Sequence, residues 1–152
     1  MRPMINIAKH NDDYNYLLTG IYCFGRFGFG EKVKNKSGKE ISKALKLIFQ
    51  KQAFRRMQTD KGKEFLNADV NFFLKDGNTE LWVSENDDVK AALFERFNRT
   101  LKDRMYKYVT ANNTKRWIDM LPNLLDGYNN SYHRSMKMKL ANVKKTTPNC
   151  YP

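Results

Sequence analysis

Apolar positions in the first half of the chain follow a strand, strand, helix, strand order. Residues 16–22 are almost continuously apolar or aromatic, which is typical of a strand buried on both faces, and a second strand is predicted from Phe27 to Val33. Ser37 is suited to cap a helix, and the apolar residues behind it recur at helical spacing. These residues are Ile41, Ala44, Leu45, Ile48 and Phe49. A short strand is predicted over residues 56–59.

The second half of the chain predicts a larger share of helix. We expect a short helix over 65–75, a strand over 80–83 and a long helix from about Lys90 to Tyr108. The predicted buried stripe of the long helix is Val89, Leu93, Phe97, Leu101, Met105 and Tyr108. Thr114 caps a last predicted helix, in which Pro122 marks either a kink or the start. This mixed order predicts an α/β fold with one sheet covered by helices.

The chain is expected to form one domain followed by a tail. With 152 residues and a hydrophobic fraction of 41%, it is long enough to bury one core. After Tyr132 the sequence is basic and irregular, so we place the core at 1–135 and an irregular basic tail at 136–152. The apolar and aromatic residues between 117 and 132 fit two roles equally, a self-association surface or part of the core.

Basic residues outnumber acidic ones by 28 to 16, which gives a formal net charge of +12. A domain this basic attracts polyanions, and nucleic acid is the partner that the charge favours. An ordinary solvated basic surface is the alternative. No apolar run approaches the roughly 20 residues of a membrane span, and the N-terminus has no apolar segment of signal-peptide length. We therefore expect no membrane association and an intracellular or nuclear location.

Cysteines and histidines predict neither a disulfide nor a zinc site. Cys23 and Cys150 lie far apart in a chain without a secretion signal, so reduced thiols are expected. His10 and His133 form no cluster at zinc-ligand spacing.

Asp60 is the first candidate for chemistry. It follows a predicted buried strand and precedes a Gly62 turn, which places it at the carboxyl edge of the sheet, where open α/β sheets bind their ligands. The alternative is that Asp60 only begins a turn, because an Asp-x-Gly sequence is common.

Glu95 is the second candidate. Glu95, Asn98, Arg99 and Lys102 are spaced at i, i+3, i+4 and i+7, so they share one helical face, opposite the apolar stripe. A carboxylate there could hold a divalent cation, and the basic residues one turn further could hold phosphates. The alternative is an exposed helix face joined by ion pairs.

Taken together, these segments resemble the catalytic core of retroviral-type integrases, most closely those of large self-synthesising DNA transposons of the Maverick or Polinton type. The resemblance covers roughly residues 14–140, and 34 residues lie between Asp60 and Glu95, a separation close to that of the family. The matching segments, in the family's order, are Tyr16-Leu17-Leu18-Thr19-Gly20-Ile21, Gln58-Thr59-Asp60-Lys61-Gly62-Lys63-Glu64-Phe65, Glu95-Arg96-Phe97-Asn98-Arg99-Thr100-Leu101-Lys102 and Tyr128-Asn129-Asn130-Ser131-Tyr132-His133-Arg134-Ser135.

The resemblance implies an RNase H-like fold, in which a mixed five-stranded sheet is flanked by helices. It implies that three carboxylates hold two Mg²⁺ or Mn²⁺ ions, which promote 3′-end processing and strand transfer. Asp60 would be the second carboxylate and Glu95 the third. The side chains expected to contact DNA are Asn98, Arg99, Lys102, Lys61 and Lys63. The implied partners are transposon ends, target DNA and further copies of the same chain.

The match departs from the family at its first carboxylate. That residue would lie at or just before Met1, where this chain has Met1-Arg2-Pro3-Met4, so we expect a truncated first strand. Asp12 and Asp13 fall in the following hairpin and are expected to point away from the site. Tyr22, Gly25 and Leu140 also differ from residues common in the family. The resemblance therefore implies that the chain as it stands binds metal poorly and is catalytically inactive.

Three alternatives to an integrase core remain. A non-catalytic DNA-binding or interaction module derived from an integrase fits the missing first carboxylate, although retention of Asp60 and Glu95 argues against it. A ribonuclease H or Holliday-junction nuclease has different carboxylate spacings. A basic protein of unrelated fold, such as a ribosomal one, does not fit the aromatic strands and long amphipathic helices.

Overall fold

The computed structural model describes residues 2–3, 5–23, 25–52, 54–59, 62–83 and 88–146. Strands and helices alternate along the chain. In order, they are β1 (Arg2–Pro3), a 3-10 helix (Ile5–His10), β2 (Tyr16–Ile21), β3 (Gly28–Val33), α1 (Gly38–Lys51), β4 (Arg56–Thr59), α2 (Ala68–Asp76), β5 (Glu80–Val83), α3 (Asp88–Ala111), α4 (Leu121–Asn129), β6 (Tyr132–His133), β7 (Met138–Lys139) and α5 (Leu140–Thr146).

The described strands form three small sheets. The first has the order β1-β2-β3, and β1 runs antiparallel to β2 with Arg2 opposite Leu17. Strands β4 and β5 pair in parallel, whereas β6 and β7 pair antiparallel. The predicted mixed α/β class is confirmed, and four predicted strands appear within one residue of their expected bounds. The single five-stranded sheet is not seen among these strands and stays a prediction.

Two helices start later than their apolar patterns suggested. Helix α2 begins at Ala68 because the side chain of Asn67 accepts a hydrogen bond from the Val70 backbone N–H at 3.0 Å. Helix α4 begins at Leu121, with Pro122 in its first turn, where a missing N–H costs nothing. Thr114 instead receives a hydrogen bond from the Arg116 N–H at 3.1 Å, so it supports a turn seven residues earlier.

The segment expected to be an irregular tail has regular structure up to Thr146. Strand β7 pairs with β6, and α5 follows it directly. Leu140 and Val143 are buried, which explains why the chain is held there. The prediction of an irregular tail rested on the basic composition of this segment and overlooked these two apolar residues, which are three positions apart.

The chain divides into two compact units, and the domain boundary expected at residue 135 stays a prediction. The first unit contains Met1–Leu18 and Glu31–Asp88, and the second contains Thr19–Gly30 and Val89–Pro152. No helix in the part of the chain that the structure describes has the length and apolar character needed to cross a membrane.

The first unit has a core between α1 and α2. The side chain of Ser37 caps α1 as predicted, and four of the five predicted apolar residues of α1 are buried. Buried Val70 and Leu74 of α2 contribute to the same core. The ring of Phe49 lies edge-on to those of Phe54 and Phe73, with centroids 5.1 and 5.4 Å away. Such edge-to-face pairs add to the free energy from burial alone.

The second unit is organised around Gly28 in β3. A Cβ atom at this position would lie 2.4 Å from Cε2 of Phe97 on α3, so only glycine fits. The buried side chain of Asn129 on α4 accepts a hydrogen bond from the Gly28 N–H at 2.8 Å and donates one to the Gly28 carbonyl at 3.0 Å. The Tyr128 ring packs against Phe97 with centroids 4.9 Å apart. Residue 28 of β3 therefore contacts both α3 and α4.

Replacing Asn129 with alanine is expected to lower the free energy of unfolding by about 2–4 kcal/mol, because it leaves both polar groups of Gly28 buried without partners. Urea unfolding followed by circular dichroism measures this loss. Asn130→Ala is the matched control, since Asn130 is exposed and bonds within its own helix to Asp126. Its expected cost is below about 1 kcal/mol. Equal losses in the two variants would contradict the role given to Asn129.

Candidate nucleic-acid interface

Three of the four residues predicted to share a face of α3 are exposed. Glu95, Arg99 and Lys102 follow each other at i, i+4 and i+7 on the solvent side of the helix. Asn98 differs, because its side chain is only 4% exposed and its Oδ1 accepts a hydrogen bond from the Thr19 hydroxyl at 2.8 Å. Asn98 therefore joins α3 to β2, and DNA contact by Asn98 stays a prediction.

The burial of Asn98 follows from the helical period. Asn98, Leu101 and Met105 are spaced at i, i+3 and i+7, so Asn98 lies on the same side as two buried apolar residues. It borders the stripe that also carries buried Phe97. Because Asn98 follows Glu95 by three residues, it lies near the exposed face that carries Glu95 and also near the edge of the apolar stripe. Only the presence of Thr19 opposite decides which side the amide takes.

An aromatic ring accompanies the basic residues further along α3. The Lys102 ammonium lies 5.6 Å from the centroid of the Tyr106 ring, which is 62% exposed. On the inner side, the Arg104 guanidinium lies 5.8 Å from the ring centroid of Tyr128. Both are cation–π contacts, which hold a cation at a defined place on the helix surface.

Arginines surround the segment that follows α4. Burial raises the pKa of Tyr128, and the positive charges of Arg26, Arg104 and Arg96 oppose this shift. Burial also lowers the pKa of His133, and Arg26 and Arg96 lower it further by repulsion. The Arg26 guanidinium donates a hydrogen bond to the Ser135 hydroxyl at 3.4 Å. The second unit therefore has a positive potential around His133, which favours anions.

These arginines were missed from the sequence. Arg26 has a left-handed backbone with φ of 53°, in the turn before β3. Arg96 stands one turn before Arg99, and Arg104 stands two residues after Lys102 on α3. Their only signal was positive charge, which 28 residues of the chain share. The approach of Arg26 and Arg96 to His133, and of Arg104 to Tyr128, depends on how α3, α4 and the β2–β3 turn fold together within the second unit.

The remaining predicted site residues lie in the first unit or outside the described residues. Asp60 and Lys61 fall outside the described residues, and Lys63 is exposed in the turn after β4. Asp12 and Asp13 are exposed in a turn, both with positive φ. Cys150 is also outside the described part, so the reduced state of the two cysteines stays a prediction.

A two-metal site needs several carboxylates close together. Among the residues that the structure describes, no group of three or more His, Cys, Asp or Glu side chains could hold a metal ion. Glu95 is exposed on α3 and belongs to no such group of three within that described set. The described donors therefore do not fit a pair of divalent cations, and no catalytic step can be derived from them.

The fold is that of retroviral integrase catalytic cores. The magnesium complex of the HTLV-2 integrase catalytic core domain, in a trimeric form, superimposes with a TM-score of 0.73 over 84% of this chain and 82% of that one, at 16% identity. The BIV integrase catalytic core domain gives a TM-score of 0.76 over 86% and 85% of the two chains, at 13% identity. At these identities the likeness shows the fold alone.

A relative by sequence comes from a mobile element. An uncharacterized transposon-derived protein of Caenorhabditis elegans is 35% identical over 144 residues, which is 93% of this chain and 50% of that protein. The chain thus spans about half the length of this curated relative. No protein-family model matches the chain. Fold and relative together support a domain related to integrases and transposases.

His133 is expected to make the protein less stable in acid. Its pKa in the folded state lies below the ordinary value of 6.5, so the unfolded chain takes up the proton first as the pH falls through that value. The contribution to stability is complete above about pH 7 and is lost on acidification. His133→Gln should therefore lose less unfolding free energy than the wild type between about pH 7 and pH 5. Parallel urea titrations at the two pH values test this, and equal losses would refute it.

Proposed function

We propose that this chain is the integrase-related core of a mobile-element protein and that it binds double-stranded DNA through the exposed basic residues of α3. The observation that carries this proposal is the solvent-facing row of Arg99 and Lys102 behind Glu95. Both side chains are exposed outside the apolar core, and cations on an exposed helix can reach the phosphates of a duplex. Transposon ends and target DNA are the proposed ligands.

Three further findings support the proposal. The fold is shared with two retroviral integrase cores, and the sequence relative is transposon-derived. The chain carries a net charge of +12, which favours a polyanionic partner over a neutral one. Within the second unit, Arg26, Arg96 and Arg104 extend the positive potential beyond Arg99 and Lys102. These residues supply affinity for phosphates without sequence specificity.

Self-association is a second part of the proposal. The HTLV-2 integrase core was solved in a trimeric form, and we expect this chain to form oligomers as well. The apolar residues between 117 and 132 are mostly unsuited to this role, because Trp117, Ile118, Leu121 and Leu125 are buried. Tyr132 is the exception, with 67% of its surface exposed. Action on chromosomal DNA would take place in the nucleus.

Binding to duplex DNA should depend on Arg99 and Lys102. Fluorescence anisotropy with a labelled duplex at several salt concentrations gives the slope of log K against log salt. For the double variant Arg99→Ala/Lys102→Ala we expect this slope to be less steep by about 2, since each lost phosphate contact removes about 1. Affinity should fall for every duplex sequence tested.

The matched control for this experiment removes the same charge elsewhere. Lys39→Ala/Lys46→Ala takes two exposed lysines from α1 in the first unit. Its slope should stay near that of the wild type. A wild-type protein that does not bind duplex DNA, or two double variants with the same slope, would overturn the assignment to α3.

A second candidate function is that of a non-catalytic DNA-binding module. The observation that favours it is the lack of a three-carboxylate group among the described side chains. In this case the chain would bind DNA or a partner and leave strand transfer to other proteins. The two candidates share the DNA-binding surface and differ only in chemistry.

The 152-residue polypeptide by itself is expected not to join DNA strands. It carries two of the three carboxylates that the family resemblance requires, Asp60 and Glu95. The test is joining of a labelled duplex with a recessed 3′ end to a plasmid in Mg²⁺ or Mn²⁺, with Glu95→Gln as the control. Joining that disappears in Glu95→Gln would contradict this expectation and would mean that another residue completes the site. Joining at the same level in both would point to a contaminating enzyme.

A further inference from the structure

A second basic surface lies in the first unit, on the outer side of β2 and β3. It consists of two half-buried tyrosines and three lysines, and we call it the tyrosine–lysine face: Tyr14, Tyr16, Lys32, Lys34 and Lys36. The residues alternate along the chain on both sides, at positions 14 and 16 on one side and at 32, 34 and 36 on the other. Tyr16 lies in β2 and Lys32 in β3, whereas Tyr14, Lys34 and Lys36 flank these strands, and the contacts between lysines and rings bring the two segments together.

Each lysine of the tyrosine–lysine face lies over an aromatic ring. The ammonium groups of Lys32 and Lys34 are 4.7 and 5.3 Å from the centroid of the Tyr14 ring. The ammonium group of Lys36 is 5.5 Å from the centroid of the Tyr16 ring. Three cation–π contacts in five residues hold the positive charges close together, although like charges repel.

The backbone beneath this face is fixed. The side-chain amide of Asn15 donates hydrogen bonds to the carbonyls of Asp13 and Lys34, at 3.0 and 2.9 Å, and so ties the tyrosine segment to the lysine segment. On the opposite side, Leu17 and Val33 are buried in the core. The lysines on either side of Val33 must therefore point outward, and the face is ordered before any ligand arrives.

Nearby carboxylates leave most of the positive charge in place. Glu31 is paired with Lys51 at 2.7 Å, outside the face. Glu64 is paired with Lys36 at 3.5 Å and neutralises part of its charge. Asp13, exposed in the turn before Tyr14, is the nearest acid in sequence. Lys32 and Lys34 together therefore contribute most of the attraction of this surface for anions.

We infer that the tyrosine–lysine face binds single-stranded DNA. Lys32 lies in β3 and Lys34 and Lys36 just beyond its end, where residues two apart on extended backbone are separated by up to about 7 Å and can follow the phosphates of an extended strand. Tyrosine rings stack on bases of any sequence, and in a single strand the base faces are accessible. A duplex hides its base faces, so it uses the lysines and gains nothing from the rings. The fixed backbone keeps the lysines near the rings, and because lysine side chains are flexible, binding requires each ammonium to move from its ring to a phosphate as a base takes its place.

This inference does not depend on the duplex-binding role of α3. The two surfaces belong to different units, and the tyrosine–lysine face combines three lysines with two tyrosines, whereas the α3 row carries the pair Lys102 and Tyr106. The proposed ligand also differs in strandedness. A variant of one surface can therefore lose its own ligand while the other surface keeps binding.

The experiment measures binding of a labelled oligothymidylate of about 15 nucleotides by anisotropy over a range of salt concentrations. For Lys32→Ala/Lys34→Ala we expect the slope of log K against log salt to be less steep by about 1.4, since each phosphate contact with a single strand contributes about 0.7. Tyr14→Leu should weaken binding roughly tenfold through lost stacking, with a smaller change in slope. Tyr14→Phe keeps the ring and should bind like the wild type.

Two control variants and one control ligand separate the outcomes. Lys39→Ala/Lys46→Ala should retain the wild-type slope with oligothymidylate, and thermal unfolding should show that all variants are folded. If Lys32→Ala/Lys34→Ala lowers affinity for the oligothymidylate and for a duplex equally, or matches Lys39→Ala/Lys46→Ala, the inference is wrong. If Arg99→Ala/Lys102→Ala leaves duplex binding unchanged, the proposed function of α3 fails and this inference stands.

Discussion

The contact at Gly28 determines how the second unit is assembled. Because residue 28 has no side chain, the backbone of β3 lies directly against the ring of Phe97 on α3. The Asn129 amide then pairs with both polar groups of the same residue, much as a neighbouring strand would. The Gly28 backbone is packed too tightly for water to reach it. Its N–H and carbonyl groups therefore need the Asn129 amide as their hydrogen-bond partner. The placement of α3, and hence of its exposed row, follows from this contact.

Two asparagines in the segments that resemble integrases have structural roles in this protein. Asn98 bonds to Thr19 of β2, and Asn129 bonds to Gly28 of β3. Each connects a helix to a strand through a buried amide, which accepts a hydrogen bond from Thr19 in the case of Asn98 and both accepts and donates in the case of Asn129. Motif positions of this kind can be retained for folding rather than for contact with a substrate. The charged residues near them on α3, Arg99 and Lys102, are exposed at the surface.

The chain presents positive charge in two chemically different ways. On α3 the cations of Arg99 and Lys102 stand in a row on an exposed helix, and the ring of Tyr106 lies beside Lys102. On the tyrosine–lysine face each cation lies over an aromatic ring, which suits a ligand with both a phosphate and an exposed base. The fold accommodates these surfaces on separate units.

Local patterns in the sequence determined β2 to β5, helix α1 with its Ser37 cap, and the outward direction of Glu95, Arg99 and Lys102, because strand and helix periods act between near neighbours. Only the tertiary structure decided that Asn98 turns inward, that Gly28 meets Phe97, and that arginines gather around His133. These depend on residues distant in sequence. The start of α4 and the helix α5 were decided in the same way, since Pro122 and buried Leu140 take their effect from what packs against them.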